Sequence, residues 1–201
     1  LLTSPMVTDN ATQPKIGFRT NVISGFQAGA SYEDGGSGAA ENDDVMSWIV
    51  TYDFGVAKIG YARSTIGSTA NDGADTTRSH YGIGTTLAGV TIGYGVGNQQ
   101  VAATAVSGNP DTSNIDTHDL GLSYSINAQT GIYAQSLRSE EKTGTNAGDK
   151  HSGTAYGLSY TIAPGISALV EFGSSEYVDA TAGSANSDGR NTTAAFLSVA
   201  F

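Results

Sequence analysis

The sequence predicts an all-β protein, the wall of an antiparallel transmembrane β-barrel with about eleven strands. Apolar residues recur at every second position in segment after segment, which is the period of a β-strand with one apolar face. The longest unbroken run of apolar residues is four, Ala194 to Leu197, whereas a membrane-spanning helix needs about twenty. Very short turns alternate with longer loops between the segments, as they do in membrane β-barrels.

The composition narrows the classes of protein that fit. A length of 201 residues is enough for one all-β domain. Because the chain has no cysteine, disulfides and thiolate metal sites are excluded. The net charge of −10 argues against a nucleic-acid partner, since such a partner requires clustered lysine and arginine.

The first half of the chain shows the alternation from Lys15 onward. Residues 1–13 are polar and unpatterned and are interpreted as an unstructured lead-in, so we expect the barrel wall, a single domain, over residues 14–201. The first five segments place these residues on their apolar sides: Ile16 and Phe18; Phe26, Ala28, Ala30 and Tyr32; Met46, Trp48, Val50, Tyr52 and Phe54; Ala57, Ile59 and Tyr61; and Tyr81, Ile83, Thr85 and Leu87. Long loops are predicted at 33–44 and 66–77.

The second half continues in the same way to the last residue. Its apolar sides carry Val90, Ile92, Tyr94 and Val96; Leu120, Leu122, Tyr124 and Ile126; Ile132 and Ala134; Tyr156, Leu158, Tyr160 and Ile162; Ile166, Ala168, Val170 and Phe172; and Thr193, Ala195, Leu197, Val199 and Phe201. Short turns are predicted at 88–89, near 127 and at 163–165. Longer loops are predicted at 98–114, 139–150 and 175–189.

The sides opposite the apolar residues are dominated by glycine, serine and threonine. A solvated outer surface would favour lysine and glutamate, so small polar residues indicate a water-filled interior. Most carboxylates fall in or beside the long loops, and the short turns carry almost none. Such acidic loops could hold a divalent cation, and apart from that possibility we expect no cofactor.

The segment PKIGFRTNVISGFQAGASYEDG, residues 14–35, resembles the general porins of Gram-negative bacteria, especially those of alphaproteobacteria. The terminal Phe201 resembles the assembly signal of outer-membrane barrels. The resemblance implies a sixteen-stranded barrel in the outer membrane, a homotrimer, and contact with outer-membrane lipid and lipopolysaccharide. Because both ends of such a barrel lie in the periplasm, an odd count of eleven strands implies that this chain is the C-terminal portion. Residues 1–13 would then be the tail of a constriction loop.

Along each predicted strand, odd-numbered and even-numbered residues face opposite sides, and we call this the parity of a residue. Charged residues that share the parity of the polar side are candidates for lining a pore. Lys15, Arg19 and Lys58 have this parity and fall in neighbouring strands. The resemblance implies a basic patch on the wall opposite an acidic constriction loop, and the alternative is that they are ordinary solvated charges. A second set, Asp53, Asp119 and Glu171, would favour cations.

The sequence shows no catalytic constellation. His80, His118 and His151 lie in separate hairpins without the spacing of metal ligands, so no metal site is predicted. The loop sequences NDGADTT and ENDD could ligate calcium through their oxygens, but neither matches an EF-hand loop, and we interpret them as flexible turns. No helix follows the G-x-G sequences at 82–89 and 93–97, so they are not nucleotide-binding loops.

We therefore expect a channel rather than an enzyme: an outer-membrane porin through which ions and small hydrophilic solutes diffuse passively. The main alternative is a non-conducting surface β-barrel, acting as an adhesin or a structural protein through its acidic loops. A soluble carbohydrate-binding β-sandwich would require the apolar faces to pack against each other, and the small polar faces opposite them argue against it.

Overall fold

A computed structural model describes residues 15–34, 44–67, 75–102, 113–144, 146–180 and 186–199. These residues form eleven β-strands: β1 (Lys15–Arg19), β2 (Phe26–Glu33), β3 (Val45–Asp53), β4 (Lys58–Ile66), β5 (Thr76–Leu87), β6 (Val90–Val101), β7 (Asn114–Ser125), β8 (Thr130–Thr143), β9 (Lys150–Ala163), β10 (Ile166–Asp179) and β11 (Asn186–Val199). The prediction of an all-β chain with about eleven strands is confirmed.

The strands form one antiparallel sheet in which spatial order equals sequence order, from β1 at one edge to β11 at the other. Each strand therefore pairs with its neighbours in the chain, as in an up-and-down barrel wall. Within the described residues, β1 and β11 are not paired with each other, so the sheet is open. No helix among these residues is long and apolar enough to cross a membrane.

Two of the short connections are hairpin turns that require a left-handed backbone. Ser24 and Gly25 have φ angles of 49° and 85°, and Ala88 and Gly89 have φ angles of 50° and 80°. Positive φ at both central residues is the mark of the type I′ turn, whose twist matches that of the flanking strands. These turns fix the register of β1 with β2 and of β5 with β6.

The strands extend further toward the long loops than the apolar alternation predicted. β6 continues to Val101, β7 begins at Asn114 and β10 continues to Asp179, so the loops predicted at 98–114 and 175–189 were drawn too long. At the other end, the predicted strand residues Phe54 and Ala57 lie in the β3–β4 turn. The alternation marks only the part of a strand that has one apolar face, whereas backbone pairing continues where both faces are polar.

We call the face with the apolar residues the outer face and the opposite one the inner face. The apolar band runs obliquely across the sheet. One row of paired residues runs from Trp48 on β3 through Arg63 on β4 to Asp116 on β7. The row thus begins at an aromatic residue of the apolar band and ends at a charged residue outside it. Such a shift is what strands tilted by roughly 35–45° to the membrane normal would show.

Candidate functional site

The candidate site is the inner face of the sheet. On β6 this face carries glycine at 93, 95 and 97, and on β9 it carries Gly153, Ala155 and Gly157. The residues Glu33, Val45, Ser47, Thr51 and Ser64, which are buried, all belong to the inner face of β2, β3 and β4. The same strands expose Met46 and Tyr52 on the outer face. The register also places all six predicted pore-lining residues on the inner face.

The basic side chains of β1 meet polar partners on β2. The Lys15 ammonium lies 3.9 Å from the Glu33 carboxylate, which is buried. Arg19 donates a hydrogen bond of 2.8 Å to the Gln27 side-chain oxygen. Lys15 is thus opposed by a carboxylate, while the charge of Arg19 meets only an amide.

Asp53 and Lys58 end β3 and begin β4, where they are paired across the strands. One carboxylate oxygen of Asp53 accepts a hydrogen bond of 2.7 Å from the Gly55 backbone amide, which holds this carboxylate in the turn. Among the described residues Lys58 forms no ion pair within 4 Å, and its ammonium is exposed. Of the three predicted basic residues, only Lys15 is therefore ion-paired within 4 Å among the described residues.

A histidine–carboxylate pair spans three strands of the inner face. His80 on β5 and Asp119 on β7 flank Gly95 on β6, and His80 Nε2 donates a hydrogen bond of 2.8 Å to the Asp119 carboxylate. A Cβ at position 95 would overlap both side chains. Glycine at this position is what lets the pair lie flat across β6.

A second bridge repeats this arrangement farther along the sheet. The Tyr133 hydroxyl on β8 donates a hydrogen bond to the Glu171 carboxylate on β10, crossing above Gly157 on β9. A Cβ on Gly157 would collide with the Tyr133 ring. Two of the three predicted acidic residues are thus held against the wall by partners two strands away.

Sequence reasoning missed both partners, His80 and Tyr133, as hydrogen-bond partners of the inner-face carboxylates. His80 was weighed only as a metal ligand. Parity alone does not say which inner residues are level with each other, so the bridges require the strand register. The sequence feature that could have indicated the bridges is a glycine at an inner-face position of one strand, with long polar side chains at inner-face positions of the two neighbouring strands. Reasoning from parity also missed Arg78. Its Nε donates a hydrogen bond of 2.8 Å to the side-chain oxygen of Gln99 on the inner face.

At the end of the sheet that carries the long loops, Asp149 holds the β8–β9 connection to the end of β10. Its buried carboxylate accepts hydrogen bonds of 2.6 Å from the Tyr177 hydroxyl and 2.8 Å from the Ala180 amide. Tyr177 lies beyond the apolar band, and the hydrogen bond to Asp149, together with desolvation, raises the pKa of Tyr177 to about 12. The phenol therefore stays a neutral donor, which fixes the β8–β9 connection against the end of β10.

The three histidines have separate surroundings. His118 Nδ1 on the outer face is 2.9 Å from the Tyr94 hydroxyl, and the ring of His151 lies 4.4 Å from that of Tyr177. Within the described part of the chain, no three metal-ligating side chains come together. The loop sequences considered for calcium lie largely outside the described residues, as do residues 1–13 and Phe201.

Replacing Gly95 by alanine tests the first bridge. We expect Gly95→Ala to push Asp119 and His80 apart, because both are side-chain ends that can move, and to lower the free energy of unfolding by about 1–2 kcal/mol. If the inner face lines a pore, as the sequence predicts, a carboxylate freed from the wall should increase its preference for cations, measured as the reversal potential in a salt gradient. Gly97→Ala is the matched control, since its Cβ would make an ordinary 3.4 Å contact with His80. Equal reversal potentials in the two variants would contradict the prediction.

A family model described as Gram-negative porin matches residues 2–194. OmpT, an outer membrane protein of Vibrio cholerae, has a similar fold with a TM-score of 0.67 and 16% identity, covering 92% of this chain and 61% of that one. A crystallographically refined porin gives a TM-score of 0.67 at 14% identity, covering 92% of this chain and 62% of that one.

The fold is also similar to the NanC porin, with a TM-score of 0.54 and 14% identity over 94% of this chain and 93% of that one. At these identities the likeness concerns the fold alone. The chain thus spans less than two thirds of the length of OmpT and of the refined porin. No curated protein matches the sequence significantly.

Proposed function

Since the chain belongs to the Gram-negative porin family, we propose that it forms part of the wall of an outer-membrane channel through which ions and small hydrophilic solutes diffuse passively. The observation that carries the proposal is the division of one continuous sheet into an exposed apolar outer face and an inner face of small and polar residues. The outer face matches lipid, and the inner face matches water. This division serves transport better than catalysis.

The charged residues of the inner face would filter solutes by their sign. Lys15 and Arg19 lie on β1 and Lys58 lies on β4, with β2 and β3 between them, so the prediction that the three fall in neighbouring strands is wrong. Asp119 and Glu171 lie on β7 and β10. The basic and acidic members of this set thus belong to different parts of the wall apart from Asp53, which is paired with Lys58. Glu33 places a further carboxylate 3.9 Å from Lys15. A lumen with separated charges orients dipolar solutes and selects ions electrostatically.

The proposed assembly is a homotrimer in contact with outer-membrane lipid and lipopolysaccharide. One solved structure of OmpT from Vibrio cholerae is a trimer form, which supports this assembly for a chain of similar fold. A sixteen-stranded barrel would supply neighbours for both edges of the open sheet, β1 and β11. Divalent cations would reduce the repulsion between acidic long loops and the phosphates of lipopolysaccharide.

The proposal is tested by planar-bilayer recording of the full-length protein extracted from native membranes. We expect stepwise conductance increases that persist at low voltage, because the inner face carries small side chains over β6 and β9. Substitution of Lys58 by glutamate should then shift the reversal potential toward cation preference without abolishing the steps, since Lys58 is exposed and not ion-paired among the described residues. Folded protein without conductance would refute the channel and favour the non-conducting surface barrel.

A further inference from the structure

The outer face of β3–β6 carries an aromatic surface that includes an arginine. Trp48 and Tyr61 pack edge to face with ring centroids 4.8 Å apart, and Tyr61 and Tyr81 lie 4.4 Å apart. Arg63 is paired with Trp48 across β3 and β4, on the long-loop side of both tyrosines. We call Trp48, Tyr61, Arg63 and Tyr81 the Arg63 patch.

A shallow groove of about 440 Å³ opens on the turn side of this patch. It runs between Val50, Tyr61 and Tyr81 on one side and Tyr52, Ile59 and Ile83 on the other. Its lining is apolar except for the tyrosine hydroxyls, and it crosses the strands along the row of paired residues. A groove of this shape and chemistry suits a hydrocarbon chain.

The charge of Arg63 is not neutralised by the described residues. Arg63 is exposed and forms no ion pair within 4 Å among them. The outer-face positions of β3–β6 hold no aspartate or glutamate, in contrast to β7–β10, where Asp116, Glu140 and Glu176 face outward. The Arg63 side chain interacts with the neighbouring Tyr61 hydroxyl, and the exposed guanidinium remains open to an anion from outside the wall.

We propose that the Arg63 patch binds one phosphorylated lipid of the outer leaflet, a lipopolysaccharide molecule, with a phosphate on Arg63 and an acyl chain in the groove. Long loops of outer-membrane barrels face the cell exterior, so Arg63 lies at the outer-leaflet end of the groove. The planar guanidinium can donate two parallel hydrogen bonds to a phosphate. Trp48 and Tyr61 occupy the interfacial position typical of aromatic residues.

A second copy of the chain fits this surface less well than a lipid does. Packing it against another copy would bury the Arg63 guanidinium, and a buried charge without a partner is strongly unfavourable. Strands β3–β6 of a second copy offer no outer-face carboxylate in return, and Asp44, directly before β3, already accepts a hydrogen bond from the Tyr32 hydroxyl. A lipid supplies the apolar chain and the anion together.

The binding proposal rests on the outer-membrane placement and not on conduction, so its test uses a separate readout. The full-length protein in detergent is titrated with diphosphoryl lipid A, and the bound lipid is counted by native mass spectrometry. We expect Arg63→Gln to weaken binding about tenfold, the loss typical of a charge-assisted hydrogen bond to phosphate. Binding of phosphatidylcholine should be weaker in the wild type and unaffected by the substitution.

Arg138→Gln is the matched control, because Arg138 is an exposed outer-face arginine on β8 that is paired with His118 and lies away from the groove. We expect this variant to bind lipid A as the wild type does. Equal losses in both variants, no loss in Arg63→Gln, or no lipid A binding by the wild type would each overturn the proposal. Cross-linking that captures a second copy on Tyr81 in lipid A-containing vesicles would also overturn it. Bilayer conductance recorded in parallel tests the channel independently, and we expect Arg63→Gln to leave it unchanged.

Discussion

Replacing Leu122 by arginine is expected to remove about 2–4 kcal/mol from the stability of the membrane-inserted protein. Leu122 is the middle of three outward apolar residues on β7, between Leu120 and Tyr124, and 41% of its surface is exposed on the outer face. An arginine there would place a charge near the middle of the hydrocarbon layer, where no described outer-face carboxylate is paired with it. The loss of stability is measured by urea unfolding in lipid vesicles. The folded fraction is read from the different mobility of folded and unfolded protein on gels run without heating the sample.

The neighbouring position provides the control. Ser123 follows Leu122 on the same strand but faces inward, opposite Thr91 and Tyr133. Ser123→Arg should keep the wild-type unfolding midpoint within about 0.5 kcal/mol, because its charge would enter the water-filled side. The expected result for this variant is a change in single-channel conductance. If the two arginines destabilised the protein equally, the assignment of outer and inner faces would be wrong.

The faces could be predicted from sequence because side chains alternate strictly along a strand. Parity alone assigns Leu122 and Ser123 to opposite faces, and the register agrees with that assignment throughout the sheet. It is also sufficient to give Asp119 and Glu171 the same side as Lys58. The role of these residues in a pore stays a prediction, as do the assignments of residues 1–13 and of Phe201.

Two kinds of information were missing from the sequence pattern. Strand ends such as Val101 and Asp179 lie outside the apolar band, where pairing continues between residues that are polar on both faces. Partner identity depends on register, and register depends on turn geometry as well as on pattern. The contact of His80 with Asp119 therefore became visible only with the paired rows, although the glycine between them was already conspicuous.

Those glycines show how the inner face combines openness with order. Gly95 on β6 and Gly157 on β9 each leave room above the middle one of three adjacent strands. Across that room, a polar side chain on the strand before the glycine reaches a carboxylate on the strand after it. Each bridge ties together strands that share no backbone hydrogen bonds. The carboxylates stay on the inner face but lie along the wall, and in the proposed channel this would leave more of the cross-section open to solutes than extended acidic side chains would.

Gly25→Ala is expected to be the most destabilising glycine substitution in the short turns, by about 3 kcal/mol. Gly25 has a φ of 85°, a conformation that costs a residue with a Cβ about 1–2 kcal/mol. Its Cβ would also overlap the Asp53 carbonyl oxygen, which belongs to the backbone and cannot turn aside. The hydrogen bond of 2.9 Å from the Asp53 amide to the Gly25 carbonyl would be lost as the turn moved away, at a further cost of about 1 kcal/mol.

Gly55 separates these two causes, because it has nearly the same φ, 83°, with nothing within 4 Å of its Cβ position. Gly55→Ala should therefore show only the conformational cost, about 1–2 kcal/mol, in the same urea titration. A difference between the two variants measures the packing of the β1–β2 turn against the end of β3. Equal destabilisation would mean that this turn does not hold β1 against the sheet. In that case the position of Arg19, two strands from Asp53, would depend on the β1–β2 pairing alone.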